Sequence, residues 1–271
     1  SGDLYVSDMY NHRIQRWKPG ATVGITAAGG NGFGYGPSQL EEPGKIDIDS
    51  QGNLYIADTG NNRIQKWEYG GLTGTTVAGG NGLGNELNQL YNPFGIAVDN
   101  DGTIYVSELS NHRVTKWSEG ASEGEVVAGG NGEGSDPDQL AIPMGIAINK
   151  NGDLFVADTY NHRVQLWEKG ATKGKTLISG KDFDPAYQIN YFSGISIVDD
   201  TFLYITDYQQ KRIIRYHIDS DTYEIISTND SIDNEEDKLS QPYQTAVDLM
   251  GDLIIADAKN NRIQKRKIKN E

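Results

Sequence analysis

The sequence predicts an all-β chain folded as a six-bladed β-propeller of four-stranded antiparallel blades, the first and last of them incomplete. Two recurring phrases and one absence carry that prediction. The first phrase is Leu4-Tyr5-Val6-Ser7-Asp8. It returns as Leu54-Tyr55-Ile56-Ala57-Asp58, Ile104-Tyr105-Val106-Ser107-Glu108, Leu154-Phe155-Val156-Ala157-Asp158, Leu203-Tyr204-Ile205-Thr206-Asp207 and Leu253-Ile254-Ile255-Ala256-Asp257, at spacings of 50, 50, 50, 49 and 50 residues. The second phrase follows each time around an arginine, as in Asn11-His12-Arg13-Ile14-Gln15 and Asn161-His162-Arg163-Val164-Gln165. Trp17, Trp67, Trp117 and Trp167 close it, with Tyr216 and Arg266 in the two copies that have drifted. Between these phrases no helical hydrophobic period is sustained over ~11 residues.

Each copy reads as four short strands, rich in β-branched and aromatic residues and bounded by Gly, Asn, Asp and Pro. The innermost strand is expected at 46–49, 95–99, 145–149, 194–198 and 245–249. The second strand is the first phrase, and the third runs from the arginine to the tryptophan. The fourth is expected at 25–28, 75–78, 125–128, 176–179 and 224–227. Gly52, Gly102, Gly152 and Gly251 stand where the first hairpin needs a tight turn at positive φ. The tally is six second and six third strands but five first and five fourth, 22 where complete blades need 24. Residues 1–271 are therefore expected to be a single propeller domain taken from a longer polypeptide, or one whose missing strands come from another chain. No signal peptide is visible, and a truncated start would hide one.

Before the second strand stand Pro93-Phe94-Gly95-Ile96-Ala97-Val98-Asp99 and Pro143-Met144-Gly145-Ile146-Ala147-Ile148. With the Asn-His-Arg-Ile phrase behind it, this arrangement resembles the NHL-repeat family over essentially the whole chain. The resemblance implies a propeller, commonly six-bladed, that binds proteins, glycans or nucleic acid. The fifth copy departs from it, with Phe192 in the proline slot and Gln210-Lys211 in place of Asn-His.

Composition narrows the partners. There are 24 Lys and Arg against 38 Asp and Glu, a formal net charge of −14. Phosphate binding needs clustered cations, so nucleic acid is not an expected partner. No run approaches ~18 apolar residues, so no membrane-spanning helix is expected. The absence of cysteine excludes a disulfide framework, a thiolate zinc site and a thiol nucleophile. High acidity and 33 glycines tilt the reading toward an extracellular or cell-surface protein.

Six acidic residues each precede an arginine by five positions: Asp8 and Arg13, Asp58 and Arg63, Glu108 and Arg113, Asp158 and Arg163, Asp207 and Arg212, Asp257 and Arg262. A group present in every blade does the blade's structural work, so these read as carboxylate–guanidinium pairs within each blade. His12, His112 and His162 share a turn slot with Asn62 and Asn261, which points to local packing or hydrogen bonding over metal ligation. The glycine-rich runs at 29–34, 79–84 and 129–134 lack the following helix that a phosphate cradle needs, and read as ordered inter-blade loops. Asp99-Asn100-Asp101-Gly102 with Glu108 copies the later part of a calcium loop, but Ala97 stands where the first ligand belongs, so a hairpin turn is expected. No catalytic residue, no metal ligand and no cofactor is assigned, with calcium the one ion left open.

Function belongs where the repeat is broken. Phe94, Met144 and Tyr243 open inner strands and are expected either to form an apolar lip at the channel or to pack between blades. Tyr10, Tyr160 and Tyr208 follow the repeated acids, on the face of the long loops, and are expected either to anchor a partner or to be solvent-facing turn residues. The acidic segment 228–238 reads as a solvated loop, with a glycosylation sequon at Asn229. The leading expectation is a non-enzymatic module binding a protein or glycan. The alternatives are a structural component that self-associates through its incomplete terminal blades, and a calcium-assisted lactonase or lyase. The last would need carboxylates near the channel, yet Asn92, Ile142, Tyr191 and Gln241 occupy the slot of Glu42.

Overall fold

The computed structural model describes residues 2–183, 191–229, 237–248 and 250–268. It is a six-bladed β-propeller whose sheets hold 22 described strands and no α-helix among the described residues. The chain divides into two compact units, Ser1–Pro143 and Met144–Glu271.

In the first unit, blade 1 comprises β1 (Leu4–Asp8), β2 (Arg13–Trp17) and β3 (Ile25–Gly29). Blade 2 is β4 (Pro43–Ile48), β5 (Leu54–Asp58), β6 (Arg63–Trp67) and β7 (Gly74–Gly79), and blade 3 is β8 (Pro93–Val98), β9 (Ile104–Glu108), β10 (Arg113–Trp117) and β11 (Glu125–Gly129). The second unit begins with blade 4, β12 (Pro143–Ile148), β13 (Leu154–Asp158), β14 (Arg163–Trp167) and β15 (Lys175–Ser179). Blade 5 is β16 (Phe192–Val198), β17 (Phe202–Asp207), β18 (Arg212–His217) and β19 (Thr222–Ser227), and blade 6 is β20 (Pro242–Val247), β21 (Leu253–Asp257) and β22 (Arg262–Arg266). Every sheet is an antiparallel meander in sequence order, and blades 1 and 6 have three strands, as the repeat count predicts.

The inner strands begin earlier than the alternation suggests, at the proline slot. A bulge lies between Pro43 and Ile46 and between Pro93 and Ile96, which masks the period of two and lets the strand start at a residue with no N–H to donate. The final residue expected in the last inner strand, Leu249, lies outside the described residues.

Within each unit the hydrophobic cores lie between successive blades. Ile14, Ala28 and Leu40 meet Leu54, Ile56 and Trp67 from the next blade. Ala157, Val164 and Ile178 meet Phe192, Ile195 and Ile205 in the second unit. Two glycines show how the sequence serves this packing. A Cβ on Gly74 would lie 2.4 Å from the Trp67 ring, so the tryptophan lies flat only over a bare backbone. Gly79 has φ of +67°, and a Cβ there would sit 2.7 Å from the Asn62 carbonyl oxygen.

Candidate functional site

All six acid–arginine pairs form, with the arginine Nε donating to a carboxylate oxygen at 2.8, 2.7, 2.7, 2.7, 3.1 and 2.8 Å in chain order. The structure adds what the spacing does not reveal: the pair also grips the loop arriving from the preceding blade. Arg63 Nη1 donates to the Tyr35 carbonyl at 2.9 Å, and Nη2 reaches those of Gly36 and Gln39 at 3.4 and 3.3 Å. Arg113 repeats this on Asn85, Glu86 and Gln89. The acid contributes too, Asp58 accepting from the Glu41 N–H at 2.7 Å and from the Asn61 amide at 2.9 Å. These groups are buried, and burial raises the Asp58 and Asp207 carboxyls above their ordinary range, against the pull of their arginines and hydrogen-bond donors. The repeated acids are thus saturated by structural partners.

The histidine slot is structural by geometry. His12, Asn62, His112, His162, Lys211 and Asn261 all have φ between 49° and 54°, the left-handed conformation, which closes a one-turn 3-10 helix at His12, Asn62, His162 and Asn261 and a plain turn at His112 and Lys211. His12 Nδ1 accepts the Glu42 N–H at 3.1 Å and His112 Nδ1 accepts that of Ile142 at 3.2 Å. Asn62 Oδ1 does the same for Asn92 at 2.9 Å. His and Asn interchange here because each places an acceptor at the same reach from its Cα.

The glycine-rich loops are ordered by a small side-chain lattice. Gln39 Nε2 donates to the Asn31 carbonyl at 3.1 Å and Asn31 Nδ2 to that of Ser38 at 3.3 Å, while Leu40 is fully buried beneath. Asn81 with Gln89, and Asn131 with Gln139, repeat the arrangement. The calcium-like stretch is a hairpin turn, Asp99 Oδ1 accepting from Asp101 and Thr103 N–H at 2.9 Å, and its Glu108 is engaged by Arg113. Among the described residues no three His, Asp or Glu side chains converge in a way that could hold a metal ion.

Where the symmetry breaks, the second unit brings aromatic rings together. Tyr160 packs edge-on against Tyr191 at 5.9 Å between ring centroids, Tyr191 meets Tyr208 at 5.5 Å, and Tyr208 meets Tyr243 at 5.8 Å. His162 closes the group edge-on against Tyr191 at 5.2 Å. The Tyr208 N–H bonds the Tyr191 carbonyl at 3.1 Å, so the turn after a second strand holds the residue entering the inner strand. Burial, together with Tyr191 and Tyr160, raises the Tyr208 phenol, which stays protonated and able to donate. Three of the expected face residues, Tyr160, Tyr208 and Tyr243, therefore belong to one aromatic surface. Tyr191, the ring that joins them, stands in the Glu42 slot and was legible only as the one aromatic in that column.

The other expected face residues fare differently. Tyr10 is 82% exposed and meets no other ring among the described residues. Met144 is half-buried. Phe94 follows the second of its two expected alternatives, packing between blades: it is 7% exposed, because Gly44 on the neighbouring inner strand leaves room for it, with a Cβ at that glycine only 3.1 Å from the Phe94 ring. Of the acidic segment, residues 230–236 lie outside the described residues, as does most of the sequon. Asn229 itself holds Leu239 by two backbone bonds of 2.8 Å.

Sequence reasoning missed Lys45 and Asp47. They stand on β4 where blades 3 and 4 carry Gly and Ala, and they are the only charged residues on the five inner strands. Burial lowers the Lys45 amine to about 7 and raises the Asp47 carboxyl to about 6, the latter despite N–H bonds from Val98 at 2.7 Å and Ile48 at 2.8 Å. Aligning the copies column by column exposes both.

The strand order and the repeated nodes define the class, a β-propeller built from one supersecondary unit. The family model for the NHL repeat matches residues 40–67, 90–117 and 140–166, so blades 2, 3 and 4 carry NHL repeats. No curated protein matches it in a sequence comparison. Among solved structures, a streptogramin B lyase is similar with a TM-score of 0.62 at 14% identity, covering 100% of this chain and 80% of that one. A catalytically inactive virginiamycin B lyase from Staphylococcus aureus with quinupristin gives 0.62 at 15% identity, covering 100% and 82%. A nidogen/laminin complex gives 0.61 at 17% identity, covering 82% of this chain and 74% of that one. At these identities the likeness shows the fold.

Proposed function

We propose that the chain is a binding module whose recognition surface is the aromatic group Tyr160, Tyr191, Tyr208 and Tyr243. The observation that carries this reading is the convergence of four tyrosines from three blades, a grouping of rings that the described residues of the first unit do not repeat. Tyrosine offers large, stiff, amphipathic area at small entropic cost, which suits the face of a sugar ring or the aromatic and proline side chains of a protein. The partner is a protein or glycan. The acidic, glycine-rich composition supports an extracellular or cell-surface setting. The nidogen/laminin neighbour shows this fold within a protein complex, and supports a protein partner by analogy.

Arrays of glycans and of peptides, probed with the wild-type chain and with the Tyr160→Ala/Tyr208→Ala double variant, test the reading. Spots bound by the wild type and lost by the double variant at unchanged melting temperature support it. Spots retained by the double variant overturn it.

A further inference from the structure

The residue before the one that closes the second phrase is basic in five of the six blades; in three of these it finds a carboxylate, and Lys66 in blade 2 stands opposite Thr75 instead. Lys116 pairs at 3.0 Å with Glu125, its partner in register across β10 and β11. Arg215 pairs at 2.6 Å with Glu224, in the same register across β18 and β19. Lys265 pairs with Asp248 and Asp252 at 2.6 and 2.9 Å. Blade 1 keeps the cation, Arg16, but its partner in register is Ile25. Among the described residues Arg16 forms no ion pair: its Nη1 donates to the Tyr69 hydroxyl at 3.3 Å, the Tyr5 hydroxyl also interacts with the guanidinium, and its buried Nε has no hydrogen-bond partner.

A cleft of about 300 Å3 opens beside this guanidinium, at the small end of ligand sites. Tyr5, Ile25, Trp67, Tyr69 and Leu72 contribute to its walls, with Glu68 the acidic residue among the lining. The site thus combines an under-used, charged, fork-shaped donor with aromatic and aliphatic walls, on a chain of net charge −14. The missing group is the one that the equivalent cation in blades 3 and 5 already holds.

We propose that this cleft binds a small molecule bearing a carboxylate on an aromatic or apolar body, the carboxylate seating on Arg16 where Glu125 and Glu224 stand in the other blades. The site lies within the first unit and does not depend on the tyrosine surface of the second. Calorimetric titration of the full chain with 3-phenylpropanoate, beside the neutral 3-phenylpropanamide, tests it. The acid should bind at millimolar concentration and the amide about tenfold more weakly, since a hydrogen bond to a charged group is lost. Arg16→Gln should erase the preference. Ile25→Glu, at an exposed position, should fold normally and abolish binding by supplying the carboxylate internally. No binding of the acid, equal binding of acid and amide, or undiminished binding by either variant overturns the proposal.

Discussion

Blades 1 and 2 carry the same acid–arginine pair in two environments. Arg13 and Asp8 are 36% and 30% exposed, and among the described residues Arg13 bonds Asp8 alone. Arg63 and Asp58 are 3% and 0% exposed, because the loop from residues 30 to 42 lays its carbonyls over them. The ion pair itself is the same length within 0.1 Å, 2.8 against 2.7 Å. What differs is the incoming segment, so the pair gains its importance by being sealed beneath a loop. In blade 5 the sealing contact is an aromatic one, Phe183 lying 3.8 Å from the Arg212 guanidinium carbon. The repeated polar residues are a fastening whose strength depends on what closes over it.

The largest expected effect separates these two blades. Arg63→Ala strands a buried carboxylate and several loop carbonyls, and should cost about 3–5 kcal/mol. Arg13→Ala breaks a solvated pair and should cost about 0–1 kcal/mol. Urea unfolding of both variants measures the gap, and equal costs would break the comparison. Next comes the tryptophan contact. Gly74→Ala drives a methyl group into the fully buried Trp67 and should cost about 1–3 kcal/mol, whereas Gly24→Ala should cost less, because the half-buried Trp17 has room to swing aside. Thermal denaturation ranks the two.

Smaller again is the acceptor slot. Asn62→Ala leaves the Asn92 N–H unpartnered and puts alanine at a left-handed φ, for a loss of about 1–2 kcal/mol, while Asn62→His should be nearly neutral. Chemical denaturation of the pair checks whether reach to the acceptor governs the slot. A separate effect, read against pH and not ranked with the substitutions above, comes from β4. Above about pH 7 folded Lys45 has lost a proton that the unfolded chain keeps up to about 10.5, so stability should rise across that window. Between about pH 4 and 6 folded Asp47 keeps a proton that the unfolded chain loses, so stability should fall as pH rises there. Melting temperatures of Lys45→Met and Asp47→Asn against pH should each flatten one of these slopes.

The fold was legible because every copy repeats its errors and its rules together. The second and third strands fall where the phrases place them, since the tight turns closed by Asn62 and its left-handed equivalents fix their register. The inner strands were misplaced at their starts, because the bulge after Pro43 or Pro93 hides the alternation. Arg63 could be matched to Asp58 from a spacing of five, but its bonds to carbonyls 24 to 28 residues away depend on a loop path that no local pattern encodes. In the tyrosine surface, Tyr160, Tyr208 and Tyr243 were visible as breaks in the repeat. Their junction through Tyr191 required the geometry of the turn. For Phe94 the sequence left a channel lip and packing between blades open, and Gly44 on the neighbouring strand explains why it packs.

The central claim is that what repeats holds the fold and what breaks the repeat binds. Measuring the unfolding midpoint and the array binding of Arg63→Ala and Tyr208→Ala side by side tests it most directly. The account predicts a lowered midpoint with binding retained by the folded fraction for the first, and lost binding at an unchanged midpoint for the second. A Tyr208→Ala variant that binds fully, or an Arg63→Ala variant that unfolds like the wild type, would contradict it.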